Sequence, residues 1–170
     1  MKKTFVFYVL AVLLIQNISA QQLGDLYTEK DAGFTMSMPR GWQAVDLNQK
    51  YLMITGPLDG QLTPNIGFVD EVYSGPLSFY IDSALSLMPT IFSDFELLDR
   101  MNFTTNSGVD GESITYHVSF GNVQMRQKMY VYPNRDGTSL LIISCTAPFE
   151  NGSRYDLIFD ASVKTFNWIR

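Results

Sequence analysis

The stretch Gly33-Phe34-Thr35-Met36-Ser37-Met38-Pro39-Arg40-Gly41-Trp42 decides how the chain begins to fold. Apolar residues occupy every second position from Phe34 to Met38, which is the period-two pattern of a half-buried strand. Pro39 has no backbone N–H and cannot extend a sheet ladder, and Gly41 gives the backbone freedom to turn. We therefore expect a strand, a Pro/Gly turn, and then Trp42 folded back over the strand and largely buried.

Residues 1–20 have the parts of a secretory signal peptide. Lys2 and Lys3 give a basic start, an apolar run follows to Ile15, and the segment ends in the small residue Ala20. We expect cleavage after Ala20 and an exported, periplasmic or secreted protein with no stable membrane span. The alternative is an uncleaved N-terminal anchor, although the apolar run is shorter than the about 20 residues that a membrane helix needs.

The remaining chain has the length of one domain, residues 33–170, after a polar segment, residues 21–32, which we interpret as a flexible lead-in. Removing Lys2 and Lys3 from the formal net charge of −5 leaves −7. Such an acidic chain is poorly suited to binding nucleic acid or an anionic membrane surface. Cys145 is the single cysteine, so no internal disulfide can form, and its apolar strand predicts an inert, buried thiol.

One helix interrupts the strands near the middle of the chain. Pro76 suits the first turn of a helix, and apolar residues recur at helical spacing through 77–88. The residue before Pro89 is disfavoured from helix, which predicts a stop or a kink there. A continuation through Ile91 and Phe92 is the alternative.

The later strands and the last helix predict the fold class. The strand 140–145 is apolar on both faces, which indicates an interior strand covered on both sides. A second helix is predicted from Ser153, where Asp156 resembles a capping box, with an inward apolar stripe that reaches Phe166. Short hairpin links imply antiparallel pairing. We therefore predict an α+β fold, with helices packed on opposite faces of a central antiparallel sheet.

A predicted hairpin over residues 112–132 groups polar side chains in the one arrangement of the sequence that suggests a binding site. Its predicted turn is Gly121-Asn122, with glycine first as a type II′ turn requires. This register gathers polar side chains on one face. The candidate binding residues are Thr115, His117, Gln124, Arg126 and Lys128. In one interpretation they form a cationic patch that binds an anionic group or an acidic surface of a partner. In the other they are a solvated sheet face opposite a buried one.

The sequence contains none of the usual patterns of catalysis or metal binding. His117 is the single histidine, and no Gly-x-Ser-x-Gly elbow, phosphate-binding glycine loop or Cys/His cluster occurs. The carboxylates of Asp94, Glu96 and Asp99 lack the glycine-punctuated loop typical of a calcium site. We therefore predict no enzyme activity, no cofactor and no metal site.

The run Phe34-x-Met36-x-x-Pro39-x-Gly41-Trp42 resembles the opening of the PsbP-like (Mog1/PsbP) superfamily. The run Ser162-Val163-Lys164-Thr165-Phe166 is similar to the end of its C-terminal helix. The resemblance covers residues 31–169. It implies an α/β/α sandwich around an antiparallel sheet, and a largely non-catalytic protein that binds other proteins.

The expected function is that of an exported, non-enzymatic protein-binding or scaffold domain whose partner is another envelope or secreted protein. The alternative is a small-ligand carrier for a lipid or a metabolite, with a pocket between sheet and helix. A deep apolar cavity would favour the carrier. A flat patch of aromatic side chains with a polar rim would favour the protein binder.

Overall fold

The structure is a computed structural model that describes residues 23–92 and 94–169, and these contain ten strands and two helices. The strands are β1 (Leu23–Glu29), β2 (Phe34–Pro39), β3 (Gln43–Val45), β4 (Met53–Thr55), β5 (Asn65–Val72), β6 (Glu96–Thr104), β7 (Asp110–Phe120), β8 (Val123–Pro133), β9 (Ser139–Pro148) and β10 (Asn167–Trp168). The helices are α1 (Leu77–Ile91) and α2 (Ser153–Val163). The signal peptide predicted over residues 1–20 lies outside the described residues.

Seven of these strands form one antiparallel sheet in the order β3-β4-β5-β9-β8-β7-β6. The doubly apolar strand is β9, and it lies between β5 and β8, so its predicted interior position is confirmed. Strands β1, β2 and β10 form a separate three-stranded sheet with β2 in the middle. Alternation shows which side chains a strand buries but not which strands it pairs with, so this second sheet is evident only in the structure.

Strand β2 carries the opening stretch in the form that its pattern predicts. Phe34 and Met36 are fully buried, and Trp42 is 8% exposed. The turn is closed by the N–H of Trp42, which donates to the carbonyl of Pro39 at 3.1 Å. Gly41 has a φ of +79°, a conformation that glycine adopts without strain. The predicted burial of Trp42 is confirmed.

Two apolar clusters lie on opposite faces of the seven-stranded sheet. One joins the sheet to α2 and the small sheet, and includes Phe34, Tyr130 and Phe159. The other joins the sheet to α1, and includes Ile81 and Val131. The predicted α+β fold, with a helix on each face of an antiparallel sheet, is confirmed.

Helix α1 continues past its internal proline. It contains Pro89 and ends at Ile91, and the N–H of Phe92 donates to the carbonyl of Met88 at 2.9 Å. The proline removes one N–H donor but does not end the helix. Of the two outcomes predicted near Pro89, the continuation is observed.

The segment interpreted as a flexible lead-in, residues 21–32, contains strand β1. Tyr27 pairs with Met36 of β2, is 5% exposed, and stacks on Phe68 with 5.4 Å between ring centroids. An aromatic ring buries a large apolar area. The strand is therefore anchored by Tyr27, although its polar neighbours give it the composition of a loop.

The start of α2 differs from the predicted capping box. Ser153 is the first helical residue, Gly152 is in the cap position, and no side chain caps the helix. The carboxylate of Asp156 instead accepts hydrogen bonds from Arg126 of β8. The predicted capping box is wrong, because the carboxylate of Asp156 is paired with Arg126 of the sheet instead of the helix N-terminus.

Candidate functional site

The β7–β8 hairpin has the predicted register. His117 lies opposite Arg126, and Thr115 lies opposite Lys128. Gly121 has a φ of +60°, which suits the first position of its turn. Because side chains alternate along each strand, one face of the hairpin holds all the candidate binding residues: Thr115, His117, Gln124, Arg126 and Lys128.

Helix α2 lies over this face and supplies carboxylates to it. Arg126 makes a two-pronged contact with Asp156: Nε donates to Oδ1 at 3.0 Å and Nη2 to Oδ2 at 2.6 Å. The two side chains are 16% and 21% exposed. Paired hydrogen bonds between a guanidinium and a carboxylate are among the stronger polar contacts in proteins. The charge of Arg126 is therefore balanced within the molecule.

Lys128 is buried beneath the same helix. Its Nζ lies 2.7 Å from Oδ1 of Asp160, and its side chain is 8% exposed. The hydroxyl of Tyr130 donates to the same Asp160 oxygen at 2.6 Å. Thr115 is 4% exposed. This part of the hairpin face is neither solvated nor open to an external anion, because α2 occupies it.

His117 lies at the edge of the covered region, between two charged side chains. Nδ1 is 3.2 Å from a carboxylate oxygen of Glu96, and Nε2 is 3.2 Å from Nη1 of Arg126. A guanidinium can only donate, so Nε2 accepts and the ring proton lies on Nδ1, facing Glu96. The imidazole also packs against Phe149, with 4.6 Å between ring centroids. A small cleft beside it is lined in part by Gln124.

This arrangement provides no activated nucleophile within residues 23–92 and 94–169. Both nitrogens of His117 have charged partners, and neither bonds to a hydroxyl or a thiol. Cys145 is fully buried. Burial raises the pKa of Cys145 well above that of a free thiol, although nearby Lys128 acts in the opposite direction. The prediction that Cys145 is a buried thiol is confirmed. The described residues also hold no cluster of three or more metal-ligating side chains.

A second surface, at the C-terminal end of α1, has a different character. We call it the tip groove: Phe92, Phe120, Met125, Gln127 and Ser144, with Tyr116 and Val118 also lining it. Its volume is about 350 Å³. Phe120 is 73% exposed beside the hairpin turn.

The exposure of Phe120 was not evident from its pattern. Alternation places it on the apolar face of β7 with Val118, and this assignment suggests burial. Phe120 instead lies in an open groove that it shares with Phe92, the residue after α1. The one local signal is its position next to the turn at Gly121, where a covering element seldom reaches.

No protein-family model matches this chain. No curated protein matches it either. Several solved structures are similar in fold. The cyanobacterial PsbP protein CyanoP of Synechocystis sp. PCC 6803 superposes with a TM-score of 0.61 at 15% identity, over 86% of this chain and 93% of that one.

Two further structures give the same result. LpqN, a Mycobacterium tuberculosis protein involved in cell envelope biogenesis, has a TM-score of 0.58 at 14% identity and covers 86% of this chain and 90% of its own. The Saccharomyces cerevisiae Ran-binding protein Mog1p has a TM-score of 0.56 at 10% identity and covers 86% of this chain and 96% of its own. Identities this low show the fold alone, and this chain has the PsbP-like (Mog1/PsbP) fold.

Neither helix of the described residues is long and apolar enough to cross a membrane.

Proposed function

We propose that this chain is an exported, non-enzymatic domain that binds another protein of the cell envelope or the secreted fraction. Among the proteins of similar fold, one binds Ran and one is involved in cell envelope biogenesis. These examples support a binding role for this fold. They do not transfer a partner, because a fold hosts many functions.

The exposed apolar side chains of the tip groove are the main support for the proposal. Phe120 is 73% exposed, and Val123, its cross-strand neighbour, is 39% exposed. Gln127 and Ser144 give polar groups among the apolar side chains of the groove. Aromatic side chains with polar groups around them are typical of protein-binding surfaces. An exposed phenylalanine that none of the described strands and helices covers is suited to insertion into a partner.

The surroundings of His117 on the hairpin and of Cys145 on β9 support a non-enzymatic role. The nitrogens of His117 are engaged by Glu96 and Arg126. The thiol of Cys145 is buried in the core. A nucleophilic mechanism needs a base within hydrogen-bond reach of its nucleophile, and neither group offers that pairing.

Capture from the native envelope fraction tests the proposal. When the exported protein is cross-linked to its neighbours and purified, we expect one partner protein to be purified with it. The Phe120→Asp variant is expected not to capture this partner. Leu157→Asp is the matched control, because Leu157 is 68% exposed on α2. The control is expected to retain the partner, since α2 lies on the opposite face of the sheet. Recovery that is equal for Phe120→Asp and for the unchanged protein would contradict the role of the tip groove.

The second candidate function is that of a small-ligand carrier, and the position of the tip groove favours it. The groove lies between the end of α1 and the sheet, and its volume of about 350 Å³ lies at the lower end of ligand pockets. Native mass spectrometry of the exported protein distinguishes the two functions. A bound lipid or metabolite that is lost in Phe120→Asp, with no protein partner, would overturn the protein-binding proposal.

The proposal that the protein is exported rests on the signal-peptide pattern of residues 1–20. The expected mature N-terminus is Gln21, and N-terminal sequencing of protein from the periplasm or the medium checks it. A chain that still begins at Met1 in the membrane fraction would support the uncleaved anchor instead.

A further inference from the structure

Strand β6 forms one edge of the seven-stranded sheet. It pairs with β7 on one side, and no other strand within residues 23–92 and 94–169 pairs with it on the other side. Its nine residues make it long for an edge, whereas the opposite edge, β3, has only three residues. A sheet edge presents backbone N–H and C=O groups to which a further strand can bond. Strand β6 therefore offers a place for one more strand.

The hydrogen bond next to the β6–β7 turn shows which backbone groups of β6 point away from β7. The N–H of Thr105 donates to the carbonyl of Val109 at 2.9 Å. Along an antiparallel pair of strands, residues that exchange hydrogen bonds alternate with residues whose backbone groups point outward. Counting back from Thr105, the outward positions of β6 are Thr104, Asn102 and Arg100.

One of these outward groups already has a partner. Nζ of Lys164, the residue after α2, donates to the carbonyl of Thr104 at 2.5 Å. This contact agrees with the outward direction of Thr104, and it closes that end of the edge. The backbone groups of Arg100 and Asn102 remain, and an added antiparallel strand can exchange both hydrogen bonds with each of these two residues.

The side chains of β6 are largely uncovered as well. Leu97 is 45% exposed and Met101 is 48% exposed. A bulge interrupts the pairing with β7 between Leu97 and Asp99, and the register is unbroken from there to the turn. Natural proteins often block a sheet edge with lysine or proline, and β6 contains neither. We call the open part of this strand, residues 99–103, the β6 edge.

The charge around the β6 edge is negative. Arg100 is the one basic residue of the strand, and it is shared between the carboxylates of Asp82 and Glu112, so one positive charge stands against two negative charges. Asp99 makes no ion pair within the described part of the chain. An acidic surface attracts a basic partner and repels an acidic one. The charges therefore favour a basic strand at this edge.

We infer that the β6 edge binds an extended, basic segment of a partner protein as an added β-strand. The backbone of the segment bonds to Arg100 and Asn102, and one of its lysines or arginines lies beside Asp99. Met101 is on the same face as Asp99 and contacts an apolar side chain of the segment. A second copy of this chain would instead bring another acidic edge. No residue of β6 lines the tip groove, so this inference stands independently of the proposed function.

Calorimetric titration of the exported protein with a synthetic peptide tests the inference. The probe is a peptide of alternating valine and lysine with blocked ends and the same length as β6, and the control peptide has glutamate in place of every lysine. The lysine peptide is expected to bind at least tenfold more tightly than the glutamate peptide. No binding of the lysine peptide at concentrations up to about 1 mM, or equal binding of the two peptides, would overturn the inference.

Two substitutions of Asn102 test whether the peptide adds to the sheet. Asn102→Pro removes the outward N–H and leaves the bonds to β7 in place, so an edge strand tolerates it. Asn102→Ala is the matched control, because it keeps the N–H. The proline variant is expected to bind the lysine peptide at least tenfold more weakly than the alanine variant, with circular dichroism as the check that both are folded. Equal affinities of the two variants would show that the peptide binds elsewhere.

Amide hydrogen exchange of the unchanged protein gives a check that needs no variant. The lysine peptide is expected to slow exchange at the N–H groups of Arg100 and Asn102, because both become hydrogen-bonded. Exchange that the peptide does not slow at these two positions would contradict strand addition. Sedimentation velocity without peptide tests the other occupant: a dimer that Asn102→Pro dissociates would show that a second copy takes the edge, and would also overturn the inference.

Discussion

Trp42 shows how a single side chain closes the apolar core. Its ring packs edge-on against Tyr155 and Phe159 of α2, with ring centroids 6.4 Å and 6.0 Å away. On another side lies Gly56, where a Cβ would come within 2.6 Å of the indole. Gly56 is therefore glycine because the backbone passes directly over the ring. Trp42 joins the turn after β2, the end of β4 and helix α2.

Replacement of this side chain is expected to be costly. Trp42→Ala should lower the free energy of unfolding by about 3–5 kcal/mol, because the contacts of the indole are lost and a cavity remains. Urea denaturation followed by circular dichroism measures the change. Leu157→Ala, at an exposed position, should change it by less than about 0.5 kcal/mol. A loss below about 1 kcal/mol for Trp42→Ala would contradict its place in the core.

At the scale of elements, α2 is attached to the β7–β8 hairpin by charge as well as by apolar contacts. Asp156 pairs with Arg126, and Asp160 pairs with Lys128. The side chain of Lys128 is 8% exposed. Removing one partner of a buried ion pair leaves a charge that neither water nor protein balances. The pair at Lys128 therefore holds α2 in one position on the sheet.

Asp160→Asn is expected to lower the free energy of unfolding by about 3–5 kcal/mol, because Lys128 remains buried without its counter-charge. The double variant Lys128→Met/Asp160→Asn should recover most of this loss. Lys50→Met is the control: it breaks the pair with Asp70, in which the Lys50 side chain is 66% exposed, and should change stability by less than about 1 kcal/mol. Chemical denaturation compares them, and a similar small effect for Asp160→Asn and Lys50→Met would show that Lys128 reaches water.

At the scale of the whole molecule, buried tyrosines make the stability of the fold depend on pH in the alkaline range. Burial raises the pKa of Tyr116 to about 12 on the α1 face of the sheet. On the other face, burial also raises the pKa of Tyr130 and of Tyr132. A tyrosine in the unfolded chain ionises near pH 10. The unfolded chain therefore binds fewer protons than the folded chain above pH 10, and stability falls as the pH rises.

Tyr116→Phe isolates one part of this effect. The contribution of Tyr116 is fully present below about pH 10 and is lost as the pH rises through its folded pKa of about 12. It amounts to about 2–3 kcal/mol over that interval. The free energy of unfolding, measured with guanidinium at each pH across this range, should therefore fall less steeply for Tyr116→Phe than for the unchanged protein. Parallel curves would show that Tyr116 ionises normally in the folded state.

Features that depend on neighbours along the chain could be predicted. The turn at Gly121 and the alternation on both sides of it determine the register of the hairpin, and hence which candidate residues share a face. The burial of Trp42 follows in the same way from the alternating strand and the turn before it. Strand β1 and the start of α2 could not be predicted, because Tyr27 and Asp156 take their roles from partners far along the chain.

By itself, the sequence determined the order of the elements from β2 to α2, the hairpin register and the packing of a helix on each face of the sheet. These properties depend on local periodicity and on turn residues. Only the tertiary structure decided that α2 covers Arg126 and Lys128 while Phe120 stays open. Which residues a helix covers depends on where it docks and where it ends, and no local pattern of residues encodes that position.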